Sequence, residues 1–256
     1  MNAVTKDFAT ESGHWYDRDG NPRYTIVGAN GKERGTTVKD ARKHGFLPSV
    51  TTILRQAAAP GLERWKIANA ISSALTLARQ EGESEESYLY RIVQDSEEKA
   101  RKARELGTTI HGAIEKLDRH GPYAAHVEVA LEAVASWAML RDWDSERSFA
   151  SRLGYGGKLD LSAEGFVIDF KTTDKPLADL KLWPEHRRQL AAYRMGLDDP
   201  QARCAICYVN SQSPEARLIE VEEEELQQGW EEFKALLAFY YAMNKLTVPN
   251  GQRLPS

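Results

Sequence analysis

Two aspartates and a lysine at short spacing carry the chemistry open to this chain. They sit in Gly157-Lys158-Leu159-Asp160 and in Ile168-Asp169-Phe170-Lys171, with Gln189 and Tyr193 downstream. Together they hold what metal-assisted hydrolysis of a phosphodiester calls for: hard carboxylate ligands, an ammonium for phosphoryl charge, and groups that hydrogen-bond to both. An acid and a base in an apolar run cost roughly several kcal/mol to bury unless a partner, a metal or a substrate compensates. A structural ion pair in a half-buried sheet is the alternative for Asp169 and Lys171.

These side chains need elements that bring them together. Residues 166–172 open with Phe166-Val167-Ile168 and read as a buried strand, with Val167, Asp169 and Lys171 on one face and Phe166, Ile168 and Phe170 on the other. Lys158 to Leu161 alternates in the same way. If the loop has an even number of residues, for instance a two-residue turn at Glu164-Gly165, Asp160 falls opposite Asp169 on the same face, whereas a slip of one residue would turn it away. Gly154, Gly156 and Gly157 leave room for another backbone or a ligand to come close. The acid-x-Lys pattern recurs at Glu97-Glu98-Lys99, Asp179-Leu180-Lys181 and Glu232-Phe233-Lys234, but none of these follows a hairpin that carries an acid.

Gln189 and Tyr193 share one face of a helix expected at 185–195, as a pair facing the chemistry or as an ordinary boundary pair. A second helix is expected at 96–117, with Leu106, Ile110, Ala113, Ile114 and Leu117 as its apolar stripe. His111 lies beside that stripe, as a ligand or as a satisfied core residue. Glu115, one turn later, reads as a solvated charge.

In order, Gly107-Thr-Thr-Ile-His111, Gly157-Lys-Leu-Asp160, Ile168-Asp-Phe-Lys171 and Gln189-Leu-Ala-Ala-Tyr193 resemble the PD-(D/E)XK nuclease superfamily, in its RecB-like branch, over residues 95–245. The segment Leu47-Pro-Ser-Val-Thr-Thr-Ile-Leu54 with Trp65 is similar to phage exonucleases and the mitochondrial genome maintenance exonuclease. The resemblance implies an α/β, restriction-endonuclease-like αβββαβ core, with a central mixed sheet flanked by helices, at 91–256. An N-terminal hairpin and helical cap for DNA would occupy 1–90. Strands are expected at 147–153, 157–162, 166–172, 203–209 and 216–221, with a closing helix at 223–245.

The implied function is a Mg²⁺- or Mn²⁺-dependent deoxyribonuclease, an exonuclease on single strands or DNA ends in replication, recombination, repair or phage DNA processing. His111, Asp160, Asp169 and the Phe170 carbonyl would hold one or two ions. Lys171 would position or deprotonate the attacking water, with Gln189 and Tyr193 orienting Lys171 and the scissile phosphate. Ser49, Thr51, Trp65, Lys158 and Lys171 would contact DNA, and a recombinase or single-strand-binding protein is the implied protein partner. Glu146 is a weaker candidate for the metal cluster. The rival is a catalytically silent DNA-binding or recombination-accessory protein that keeps the fold.

Some of the branch carries an iron–sulfur cluster on four cysteines, but this chain has only Cys204 and Cys207. Their i, i+3 spacing in an apolar strand points them to opposite faces as buried thiols, so no cluster is expected. With 256 residues and no apolar leader, one main domain in a reducing, cytoplasmic setting is expected. A net charge of −4 argues against coating nucleic acid through bulk electrostatics. Residues 1–66 nonetheless hold eleven Lys/Arg against seven Asp/Glu, so Arg34, Lys39, Arg42, Lys43 and Arg55 form either a phosphate-tracking surface or a solvated face. Trp15, Tyr24 and Trp65 stack on bases or sit in the core. Ser49 precedes a short helix, where capping is its ordinary role. His14 to Val27 reads as a hairpin with a turn at Asp17 to Gly20, and residues 63–90 read as helical.

Overall fold

The apolar run that begins at Phe166 becomes the strand about which the rest of the chain is organised. The computed structural model describes residues 13–58, 60–139 and 142–248. The N-terminal part contains β1 (Trp15–Tyr16), β2 (Thr25–Val27), β3 (Glu33–Gly35), α1 (Val38–His44), β4 (Leu47–Pro48) and α2 (Val50–Leu54). Three longer helices follow: α3 (Pro60–Thr76), α4 (Glu85–Glu115) and α5 (Ala124–Ala138). The remainder is β5 (Asp144–Ser145), β6 (Ser148–Ser151), β7 (Tyr155–Lys158), β8 (Leu161–Ala163), β9 (Phe166–Thr173), α6 (Pro184–Gly196), β10 (Arg203–Asn210), β11 (Ala216–Val221) and α7 (Glu223–Asn244).

The main sheet runs β11-β10-β9-β8-β5, with β9 and β10 parallel and the other pairs antiparallel. A strand buried on both faces must be apolar on both, and β10 and the first residues of β9, Phe166 to Ile168, are. Val167, Ile206 and Tyr208 pack with Leu190 of α6 and with Phe233 and Leu237 of α7. On the other face, Ile168, Phe170, Cys207 and Val209 pack with Ile110 and Ile114 of α4 and with Val127, Ala130 and Val134 of α5. The result is a central mixed sheet with helices on both sides. Cys204 and Cys207 fall into the two different layers, as their spacing requires. Among the described residues no helix is long and apolar enough to cross a membrane.

Several elements differ from expectation. The strand expected at 157–162 is broken at Leu159 and Asp160: β7 pairs with β6 in a separate two-stranded sheet, and β8 pairs with β9. Hydrogen-bond partners, which alternation does not reveal, decide that break. The helix expected at 96–117 begins at Glu85, where Ser84 accepts from the Ser87 amide and two acids occupy the first turn. Leu117 lies beyond its end and is exposed. Position 90 falls inside this continuous helix, and Trp15, Val50 and Ile53 belong to the same core layer as Phe233. His14 to Val27 is not one hairpin. Tyr16 bridges to Pro22, but β1 pairs with β4, and β2 with β3.

α5 has no counterpart in the expected order. The close approach anticipated at Gly156 and Gly157 is met by side chains: an added Cβ would lie 2.8 Å from the Tyr16 ring at the first and 2.6 Å from Phe149 at the second.

Candidate active site

β8 and β9 are joined by the two-residue turn Glu164-Gly165, with Leu161 opposite Ile168 and Ala163 opposite Phe166. Continuing that register by one residue sets Asp160 opposite Asp169. Ladder pairing stops at Leu161, so the edge of β9 is open from Asp169 onward. There the Phe170 amide donates to Asp160 Oδ2 at 2.7 Å, replacing the missing strand. In an extended strand the N–H and C=O of one residue point to the same edge, so the Phe170 carbonyl also faces the opening.

Three elements converge on this edge. α4 supplies His111, whose Nε2 lies 2.9 Å from Asp160 Oδ2 and whose Nδ1 lies 2.5 Å from Glu115 Oε1. β9 supplies Asp169 and Lys171, paired at 2.6 Å between Oδ2 and Nζ. α6 supplies Gln189, whose side-chain amide donates to Asp169 Oδ1 at 2.7 Å and to the Tyr193 hydroxyl at 2.9 Å. His186 shares this face of α6. Its Nδ1 lies 2.9 Å from the hydroxyl of Tyr208, the residue beside Lys171 in the parallel register.

Asp169 is 2% exposed, and burial raises its pKa, with the Asp160 charge adding to the rise and Lys171 opposing it. Burial pushes Asp160 the same way, but the His111 hydrogen bond and charge, Lys171 and the Phe170 amide outweigh it and hold this carboxyl below its ordinary value. For Lys171 burial favours the neutral amine, yet Asp169 and Asp160 reverse that and keep it an ammonium. His111 is likewise raised, because Asp160, Glu115 and Asp169 overcome its desolvation. His186 goes the other way: burial and then Lys171 push it down to about 3. Burial and the two aspartates drive the Tyr193 phenol well above its ordinary value.

The cluster opens into a cleft of about 1570 Å³ between α3, α4 and β9. His111, Phe170, Lys171 and Thr172 line it together with Trp65 and Lys66 of α3 and Arg101 and Arg104 of α4. At 1.5 Å per residue, the lining from Val93 to His111 extends about 27 Å along α4. α3 folds back on α4, tied by the Tyr88 hydroxyl donating to the Leu77 carbonyl at 2.8 Å.

The other residues singled out in the sequence lie elsewhere. Ser49 is buried and caps α2 by accepting from the Thr52 amide at 3.0 Å, and neither it nor Thr51 lines the cleft. Lys158 pairs with Glu146, whose left-handed backbone (φ 57°) accompanies an amide donating to the Asp160 carbonyl at 3.2 Å. Arg34 is engaged by Asp40, and Arg42 donates to the Asn244 carbonyl. Trp15 is core, and Tyr24 stacks on His14. Asp17 closes a tight turn by accepting from the Asp19 and Asn21 amides.

Glu115 and His186 were the residues least visible beforehand. The i, i+4 spacing from His111 and the i, i+3, i+7 spacing of His186, Gln189 and Tyr193 are the signals that mark them. His111, Glu115 and Asp160 place ligand atoms within 4.8 Å of one another, close enough to hold a metal ion.

No family model and no curated protein matches this chain. The solved structure of SSO0001 aligns at 15% identity over 68% of this chain and 86% of that one, with a TM-score of 0.29, a likeness too slight to carry any inference.

Proposed function

We propose that this protein is a metal-dependent deoxyribonuclease of the PD-(D/E)XK type, in its RecB-like branch, acting as an exonuclease on single strands or DNA ends. The observation that carries the reading is the convergence of Asp160, Asp169, His111 and Lys171 on the open edge of β9, where His111 and Lys171 line a long cleft. A merely structural ion pair needs neither the opening nor the second carboxylate. The donor set fits a hard divalent cation such as Mg²⁺ or Mn²⁺: two carboxylates, one imidazole and a backbone carbonyl, with no thiolate. His111, Asp160, Asp169 and the Phe170 carbonyl would hold it, and its chemistry is to polarise the phosphoryl group and neutralise charge that builds there.

The chain's own groups account for the remaining roles. Lys171, whose ammonium form Asp169 and Asp160 favour, is a hydrogen-bond donor and positive charge for the phosphoryl oxygens in the transition state. Gln189 fixes the Asp169 carboxylate from one side while Lys171 approaches from the other. Water adds to phosphorus and gives up a proton to solvent, one ester P–O bond breaks, and the departing oxygen takes up a proton and leaves with the strand as a hydroxyl. Lys66, Arg101 and Arg104 line the cleft, the first paired with Glu63 and the second with Glu98 and Glu105, and Trp65 offers an aromatic face for a base.

End-labelled single-stranded and duplex DNA, free-ended and circular, with Mg²⁺, Mn²⁺ or EDTA, tests this beside Lys171→Ala. The expected result is metal-dependent loss of free-ended DNA, abolished by the substitution, while circles survive. DNA binding without cleavage on any substrate would overturn it in favour of a silent accessory protein.

A further inference from the structure

We propose that the outer face of α3 pairs with the same face of a second copy of this chain, the two helices lying antiparallel about a two-fold axis near Ile71. α3 is 17 residues long, yet Ser73 is its one buried residue. Helices in folded proteins draw most of their stability from burying an apolar face, so a helix this bare has a face still to cover. Of the fourteen exposed large hydrophobic residues among those described, eight fall between Leu62 and Val93, a concentration that marks a surface for association.

The helix has two sides. Leu62, Lys66, Asn69 and Ala70 line the cleft, and on that side the Ser73 hydroxyl accepts from the Lys99 ammonium at 3.3 Å. Ile67, Ile71 and Leu75 recur at i, i+4 and i+8 on the opposite side, 59%, 55% and 83% exposed. None of these three lines the cleft, so covering them leaves the cleft open.

Charge identifies the occupant. Arg64, two turns before Ile71 and therefore on the same side of α3, is exposed at one end of the stripe. Glu81 is exposed in the turn beyond the other end. Among the described residues neither makes a hydrogen bond or an ion pair. With two copies antiparallel about Ile71, Ile67 falls opposite Leu75, and Arg64 reaches the far end of the other α3, where the turn that holds Glu81 begins. The contact is isologous, so each pairing forms twice. In a parallel arrangement Arg64 would meet Arg64 and Glu81 would meet Glu81. A stripe complementary to itself in both shape and charge fits a second copy of the chain.

Sedimentation equilibrium of the full-length protein from about 1 to 100 μM tests this. Wild type should rise toward twice the chain mass with concentration. Ile71→Glu sets two carboxylates against each other at the axis and should stay monomeric, while its thermal melt, taken where wild type is monomeric, is unchanged. Arg64→Glu and Glu81→Arg should each raise the dimer dissociation constant by about 2- to 30-fold, the strength of two surface ion pairs, and the double variant should return to within a few-fold of wild type. A monomeric wild type would overturn the proposal, and a lower melt for Ile71→Glu would then show that the chain itself covers the stripe. A dimer that survives Ile71→Glu would overturn it in favour of another surface. A double variant weaker than either single one would overturn the antiparallel pairing.

Discussion

Gly229→Ala should destabilise the protein even though alanine is the better helix former. Gly229 lies inside α7, where that helix crosses α6, and an added Cβ would meet the Arg187 carbonyl oxygen at 2.7 Å, its carbon at 2.8 Å and the Arg188 nitrogen at 3.0 Å. These are backbone atoms, so no rotamer change relieves the contact. Reaching an ordinary 3.4 Å separation requires the two helices to part by several tenths of an ångström. Over-packing of this kind costs about 1–3 kcal/mol, and the helix propensity of alanine returns about 1 kcal/mol. A backbone clash belongs to the upper part of that range, leaving about 1–2 kcal/mol of net destabilisation, or a fall in Tm of roughly 2–8 °C for a chain of this size.

Gly112→Ala is the control, because it too is inside a helix but nothing lies within 4 Å of its added Cβ. It should raise Tm by roughly 2–4 °C through propensity alone. Melting all three proteins by circular dichroism at neutral pH decides the matter. If Gly229→Ala melts at or above wild type, the close crossing of α6 and α7 is wrong, and with it the account of how α6 is held over Asp169.

Two further outcomes follow from burial. His186 stays neutral in the fold down to about 3, whereas in the unfolded chain it takes up a proton near 6.5. The unfolded state therefore binds more protons between those values, so this contribution to stability is complete above 6.5 and is lost as pH falls toward 3. Denaturant melts from pH 7 to 4 should show less acid destabilisation in His186→Gln than in wild type; parallel slopes would refute the burial of a neutral imidazole. Cys204 and Cys207 are both buried, which pushes each thiol up to about 12. A thiol reagent at neutral pH should label neither in the native protein and both after denaturation, and rapid native labelling would contradict their placement in the two core layers.

What could be read in the sequence was whatever local chemistry determines. The turn at Glu164-Gly165 sets the register, and register sets the face, so the side to which a two-residue turn carries Asp160 was legible before any coordinates, whereas the end of the ladder at Leu161 was not. β11 and the start of α7 were legible residue for residue, and β10 to within one residue, because apolar runs and acids at a helix start announce themselves. α5 was missed although Val127, Ala130, Leu131 and Val134 have helical spacing; its N-cap residue, Tyr123, makes no side-chain capping bond that would mark a beginning. The pairing of β1 with β4 was not legible, since two-residue strands thirty positions apart are chosen by tertiary packing. Glu115 shows the limit within the site: its spacing from His111 was visible, but which way the imidazole turned between two carboxylates was not.

The break at Leu159 and Asp160 is the point where fold and candidate chemistry meet. Had the expected strand run unbroken through Asp160, a neighbouring strand would have covered the β9 edge and satisfied the Phe170 amide and carbonyl. Breaking it transfers β7 to pair with β6, leaves β8 only three residues long, and hands the Phe170 amide to the Asp160 carboxylate. One local change thus fixes the orientation of a carboxylate, uncovers a carbonyl beside it, and admits His111 from the opposite layer of the molecule. It also explains why the charged cluster stands at a sheet edge. Only there can side chains from both faces of β9, Asp169 from one and His111 beside Phe170 from the other, reach a common point without crossing the strand.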